Sequence, residues 1–187
     1  MKIEHEFTVG RPPHRVWDFF QDIPSVAQCL PGAELAGQSD DGSYEGKLSV
    51  KLGPMAASFE GRATVSPDPE SMSAVIDGKG VDRSGGSRGQ VKVSYQIAPE
   101  GTGSKVGIDA DVNLSGPVAQ FGRTGLINEM SKRLIGEFVQ CLEGKLGAET
   151  ASEASTIEAG EVQGISLFFA SLWSWFTGLF GRGEKQA

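Results

Sequence analysis

Histidine and cysteine are scarce in this chain, with two of each among 187 residues. His5, His14, Cys29 and Cys141 are too few and too scattered for a His/Cys metal cluster, a C-x-x-C redox pair or a histidine-based catalytic constellation. His5 falls near a strand end and His14 in a first helical turn beside Arg15, positions of core-edge or solvated histidines. The cysteines read as reduced, half-buried thiols. Basic residues are also in deficit, 17 Lys and Arg against 24 Asp and Glu, for a formal net charge of −7. That balance excludes nucleic acid as a partner, because phosphate binding needs an excess of cations on one face. The opening residues, MKIEHEFTVG, lack an apolar h-region, so they do not read as a secretory signal and the chain is expected in the cytoplasm.

Apolar residues make up 39% of the sequence, enough for the packed core of one ordinary domain. Residues 2–9 alternate, with Ile3, His5, Phe7 and Val9 on one face and charged or polar residues on the other, which predicts a half-buried strand. Arg11-Pro12-Pro13 then starts a short helix through Val16, Trp17 and Phe20, and residues 22–29 suit a second, stopped by Leu30-Pro31-Gly32. Residues 33–115 show almost no helical periodicity and predict five or six antiparallel strands. Asp40-Asp41-Gly42, Ser66-Pro67-Asp68-Pro69 and Ser84-Gly85-Gly86-Ser87 supply the turns. After Ser115-Gly116-Pro117, Ile127, Met130, Leu134, Phe138, Cys141 and Leu142 recur at three- and four-residue spacing and predict one long helix. Its apolar stripe can be buried only across the sheet. The class is therefore α+β, a curved antiparallel sheet wrapped around a long helix.

Several inward strand positions carry almost no side chain: Gly46, Gly61, Ala63, Ala110 and, by the same alternation, Gly78 and Gly80. Small residues where bulk is needed leave space under a helix laid over a curved sheet. An apolar cavity is expected there, walled by Phe7, Trp17, Phe20, Leu48 and Phe59, by Val93, Tyr95 and Leu114, and by Met130, Leu134 and Phe138 of the long helix. Such walls suit a hydrophobic small molecule. The alternative is that the glycines serve bends or close helix approach. No metal ligands and no catalytic residues are assigned. Asp109 and Asp111 alternate away from the core, and Asp40, Asp41, Asp68 and Glu70 fall in turns. The glycine-rich stretch from Asp77 to Ser87 joins two strands and lacks the spacing of a phosphate loop.

Residues 147–164 are rich in Ala, Glu, Ser, Thr and Gly, carry four acids and no base, and read as a flexible acidic linker with a span of about 23 Å. Residues 165–181 follow as a separate amphipathic helix, with a polar end at 182–187. The stretch 165–180 has no charge and six of the fifteen aromatic residues. At ~100° per residue, Ile165, Phe168, Phe169, Leu172, Trp173, Trp175, Phe176, Leu179 and Phe180 gather on an arc of roughly 160°, backed by small polar residues. Only Leu167 is misplaced. Sixteen residues reach about 24 Å, short of the ~30 Å hydrocarbon core, so the pattern fits a helix lying in a membrane interface better than a spanning one. It also suits a groove on its own domain or on a partner. If each of the nine apolar groups gains a third of its full burial energy, the gross benefit is roughly 5–9 kcal/mol before ordering costs.

The segment PPHRVWDFFQDIPSVAQCLPGAE, the KLGPMAASFEG run, the GKGVDRSGGS turn and GPVAQFGRTGLINEMSKRLIGEF resemble the carbon monoxide dehydrogenase G-subunit family of the START-like helix-grip superfamily. CLPGAE, Gly53-Pro54 and Phe121-Gly122 are the more specific parts, and the resemblance covers about residues 1–146. It implies a helix-grip domain at 1–146 and an accessory role beside a molybdenum hydroxylase such as carbon monoxide dehydrogenase. It also implies a peripheral place on the inner face of the cytoplasmic membrane. No set of catalytic residues comes with it, and no covalent cofactor. In that setting the ligand expected in the cavity is a respiratory quinone, since electrons leaving the enzyme must reach a molecule dissolved in lipid. Two other functions fit the residues: a recruitment adaptor with no functional ligand, and a small-molecule cyclase or hydrolase using the cavity. Deletion of residues 165–187 is expected to move the folded domain from membrane to soluble fraction on flotation, and retention equal to the full chain would exclude the tail as anchor.

Overall fold

A computed structural model describes residues 1–52, 55–123 and 125–148. Of the linker expected at 147–164, Gly147 ends α3 and Ala148 caps it, while residues 149–164, the tail expected as a helix with nine residues facing a membrane, and Gly53-Pro54 lie outside the described residues. The elements run β1 (Lys2–Val9), α1 (Pro13–Gln21), α2 (Ile23–Cys29), β2 (Ala33–Gln38), β3 (Tyr44–Leu52), β4 (Met55–Asp68), β5 (Ser73–Asp82), β6 (Ser87–Glu100) and β7 (Gly103–Ser115). A 3₁₀ turn at Pro117–Arg123 then leads into α3 (Leu126–Gly147). All seven strands form one antiparallel sheet in the order β1-β7-β6-β5-β4-β3-β2. The expected curved sheet with a long C-terminal helix is what the chain forms.

Strands consecutive in sequence, β1 and β2, lie on opposite edges, so the α1–α2 connection has to reach from one edge to the other. The sheet curls around α3. α3 lies in the curl, packed on β1 at one side and on β3 at the other, with α2 against its C-terminal half. Pro13 opens α1 and Pro24 sits in the first turn of α2, where a missing N–H removes a donor that would be unpaired anyway. Asp22 caps α2 by accepting the Ser25 backbone N–H at 3.3 Å.

Three hairpins are closed by aspartates. Asp41 accepts from the Ser43 N–H (3.0 Å) and hydroxyl (2.6 Å), Asp68 from the Glu70 N–H (3.1 Å) and Ser71 hydroxyl (2.8 Å), and Asp82 from the Gly85 N–H (2.9 Å) and Ser84 hydroxyl (2.8 Å). These bonds favour the ionised form and hold all three carboxyls below the usual 3.8. The serine hydroxyls are the leading cause at Asp41 and Asp68, and the Gly85 N–H at Asp82. One turn begins later than the sequence signal suggests. β4 continues through Pro67 to Asp68, because β3 has stopped pairing at Ala63 and no neighbour asks Pro67 for an N–H.

Cys29 and Cys141 are not the reduced thiols expected. Cys29 at the end of α2 and Cys141 in α3 form a buried disulfide across a sequence separation of 112 residues, with Cα atoms 5.4 Å apart. Spacing along the chain carried no sign of it, since only the docking of α2 on α3 brings the two sulfurs together. Disulfides of this kind are rare in reducing compartments. Closing so long a loop limits the unfolded chain, and Cys29→Ser is expected to lower stability by about 3 kcal/mol and the Tm by ~10 °C in calorimetry without reductant. Dithiothreitol should bring the parent down to the variant.

Asp82→Asn is expected to lower the Tm at neutral pH. A carboxyl with a depressed folded pKa stabilises above its unfolded value and loses that contribution as pH falls through the folded one. The gap between parent and variant should therefore be constant from about pH 5 to 8 and close below the ordinary value of 3.8. A gap that persists in strong acid would refute the charge-assisted cap.

Candidate functional site

The concave face of the sheet, the one turned toward α3, carries two separate apolar clusters. At one end Val9, Val16, Phe19, Phe20, Tyr95, Ile97, Val106, Phe138 and Leu142 are buried around the disulfide. Phe20 is the hub, its ring centroid 4.7 Å from that of Tyr95 and 5.8 Å from that of Phe138, while Phe7 meets Phe138 and Trp17 meets Tyr95 at 6.4 Å. At the other end Ala57 and Val118 are buried, with Val50, Met55, Phe59 and Leu114 of the sheet packed against Phe121, Leu126, Ile127 and Met130.

Between the clusters lies a band that joins neither. Leu48, Val93 and Leu134, expected as cavity walls, and Ala63 and Ala110, expected as the small residues between them, are there, together with Tyr44, Val91 and Val112. Register makes the band continuous: Tyr44, Ala63, Gly78, Val91 and Val112 form one cross-strand row, and Val93 and Ala110 continue the next, whose Val65 and Ile76 pack on the aromatic cluster. The side chains of both rows are half-buried, and Leu48 is 39% exposed. Apolar groups that face a helix yet keep contact with solvent define an open trough rather than a sealed hole. Along β6 it runs from Tyr95 to Gly89, six residues or about 20 Å.

The expected walls thus divide. Phe20, Tyr95 and Phe138 are packed core, with Phe7 and Trp17 half-buried beside them, and this group closes one end of the trough. Phe59, Leu114 and Met130 close the other. Gly46 and Gly61 act differently from the spacers read in the sequence. A Cβ on Gly61 would overlap the Lys79 carbonyl oxygen and the Gly80 Cα, and one on Gly46 would stand 2.5 Å from the Glu34 carbonyl oxygen. These glycines let strands approach where the sheet bends. Nor is Gly80 or Gly89 empty space. A Cβ on Gly80 would lie 3.1 Å from Phe59 Cβ and one on Gly89 3.6 Å from its ring, so this row seats Phe59. Tyr44, Val91 and Val112 were legible in the alternation, but it gave no means of telling a packed inward residue from an unpacked one.

Polar groups on the concave face are few and engaged. The buried Tyr95 hydroxyl accepts from Gln21 Nε2 at 3.4 Å, and burial raises its pKa above 10.0. Its own proton remains to be donated. His5 Nε2 lies 2.9 Å from Ser131 Oγ, whose single proton goes to the Asn128 carbonyl at 2.9 Å. Nε2 is then the donor to Ser131 and cannot serve as its base. Among the described residues no group of His, Cys, Asp or Glu is placed to hold a metal ion. The outer face is of another kind. A depression of about 570 Å³ there is lined by Arg62, Lys79, Lys92, Asp77 and Asp111, with Lys92 directly between the two aspartates in register, and suits no apolar ligand.

The family model for CoxG, the G subunit of carbon monoxide dehydrogenase, matches residues 6–147, from the middle of β1 to the end of α3. The chain belongs to that family. No curated protein matches it in sequence. Among solved structures CoxG-family architecture is similar here to a conserved protein from Geobacillus kaustophilus, with a TM-score of 0.68 at 15% identity over 79% of this chain and 95% of that one. A START superfamily protein from Mycobacterium smegmatis aligns with a TM-score of 0.54 at 16% identity, covering 80% and 99% of the two chains. The ZhuI aromatase/cyclase from Streptomyces sp. R1128 gives 0.51 at 16% identity, covering 81% and 97%. Likeness at such identities shows the START-like helix-grip fold alone. Among the described residues, no helix is long and apolar enough to cross a membrane.

Proposed function

We propose that this protein is a non-catalytic carrier that takes a hydrophobic molecule, a respiratory quinone, from the cytoplasmic membrane and serves a molybdenum hydroxylase of the carbon monoxide dehydrogenase type. The observation that carries the reading is the apolar band between the two core clusters. Large side chains pack its two ends, while Ala63, Val91, Val93 and Ala110, half-buried between them, belong to neither core cluster. An isoprenoid chain laid there removes its own surface and the trough's from water. At the aromatic end the Tyr95 hydroxyl, steadied by Gln21, has a proton to give to a ring carbonyl. Family membership supports the enzyme partner, and the uncharged aromatic tail at 165–180 supports the membrane.

A cyclase reading draws on the fold it shares with ZhuI, but His5 and Ser131 are committed to each other and to a helix carbonyl, which favours carriage. Organic extraction of the purified full chain, followed by mass spectrometry, is expected to yield about one quinone per protein. Ala63→Phe, which fills the middle row, should lower that occupancy about tenfold, equal to ~1.4 kcal/mol, with the Tm little changed. A chain that holds no lipid yet still binds the dehydrogenase would establish the adaptor instead.

A further inference from the structure

Two links join α2 to α3, side by side on both helices. Cys29 is bonded to Cys141, and Gln28 Oε1, one residue before it, accepts from Lys145 Nζ at 2.5 Å, one turn beyond Cys141. Cys29 is also the only buried residue of α2. A helix of seven residues is too short to hold its shape alone, so α2 depends on these links to stay docked. It packs on α1, α3 and β2, and thereby bridges the helix in the curl and the edge strand on one flank of the concave face.

Lys145 has no counter-charge among the described residues. It is only 7% exposed, and its hydrogen-bond partner there is a neutral amide. A buried ammonium is costly without an anion beside it. The disulfide supplies none, but a Cys141 thiolate would, because side chains four apart on a helix stand about 5–6 Å apart at Cβ. A lysine so placed favours the thiolate over the thiol. We infer that the Cys29–Cys141 bond is a reversible latch, opened by a dithiol reductant, and that its opening lets α2 lift from α3 and β2. A reductant thiolate attacks Cys29 Sγ and expels Cys141 as a thiolate toward Lys145, a sulfur beside a cation being the better leaving group. The second thiol of the reductant then closes its own disulfide and frees Cys29. Two electrons pass to the protein, one proton goes to Cys29 and the other to water. With α2 lifted, one flank of the concave face opens and a hydrophobic molecule can leave. That use rests on the carrier reading above; the latch does not.

Dithiothreitol acting on the folded full chain tests this. It is expected to reduce the bond completely at neutral pH, at a rate that about 1 M urea changes by less than about twofold, because lifting one short helix exposes little surface. Reduction only through global unfolding would speed up about fivefold or more in the same urea, and that result, or no reduction at all, overturns the latch. In the reduced chain Cys141, mapped by peptide mass, should react with iodoacetamide about tenfold faster than in reduced Lys145→Met, which keeps the length of the side chain and loses the cation. Equal rates also overturn the proposal, since no thiolate is then held. Transfer of decylubiquinone from the loaded chain to phosphatidylglycerol vesicles should quicken about tenfold on reduction. A latch that opens without quickening transfer upholds the inference and counts against carriage through this flank instead.

Discussion

The first two strands of this chain lie on opposite edges of one sheet, and the strands between them curve around a single long helix. The 23 residues between β1 and β2, with two short helices in them, cross from one edge to the other. Everything else follows from the curl. It creates a concave face in which α3 touches β1 on one flank and β3 on the other, with α1 against β6 and β7 and the 3₁₀ turn against β7. Large side chains of these elements pack the two ends of that face, and the middle is left to whatever the strand residues supply. Here they supply alanine, glycine and valine.

Bending is also what the glycines are for. Backbone crowds Gly46 and Gly61, and Gly80 and Gly89 receive Phe59, so the small residues fall into two kinds with different duties. One kind allows the sheet to fold over on itself and seats a core phenylalanine. The other, Ala63 and Ala110 with Gly78 between Ala63 and Val91, belongs to the apolar surface that neither core cluster covers. A ligand carrier needs both, because curvature without open surface would give only a packed core.

The buried disulfide ties α2 to α3 at the aromatic end, the same end from which the rest of the chain departs. The surface ion pairs, such as Lys105 with Glu6 at 2.8 Å and Lys47 with Glu34 at 2.6 Å, add little to this, since exposed pairs are each worth under ~1 kcal/mol.

Element types and their order were legible in the sequence, because a period of two or of three to four residues follows from local backbone geometry alone. The face each strand turns inward was legible for the same reason, and with it Ala63, Val93 and Ala110. Local patterns contain no information on what sits across from a residue. Gly61 against the Lys79 carbonyl, Phe59 over Gly80 and Gly89, and Cys29 against Cys141 are contacts between segments 18 to 112 residues apart, set by sheet register and helix docking. Alternation put Tyr95 and Val91 on the same face and alike. Tertiary packing made one a buried wall and the other open surface, because whether an inward side chain is covered depends on where α1 and α3 come to rest.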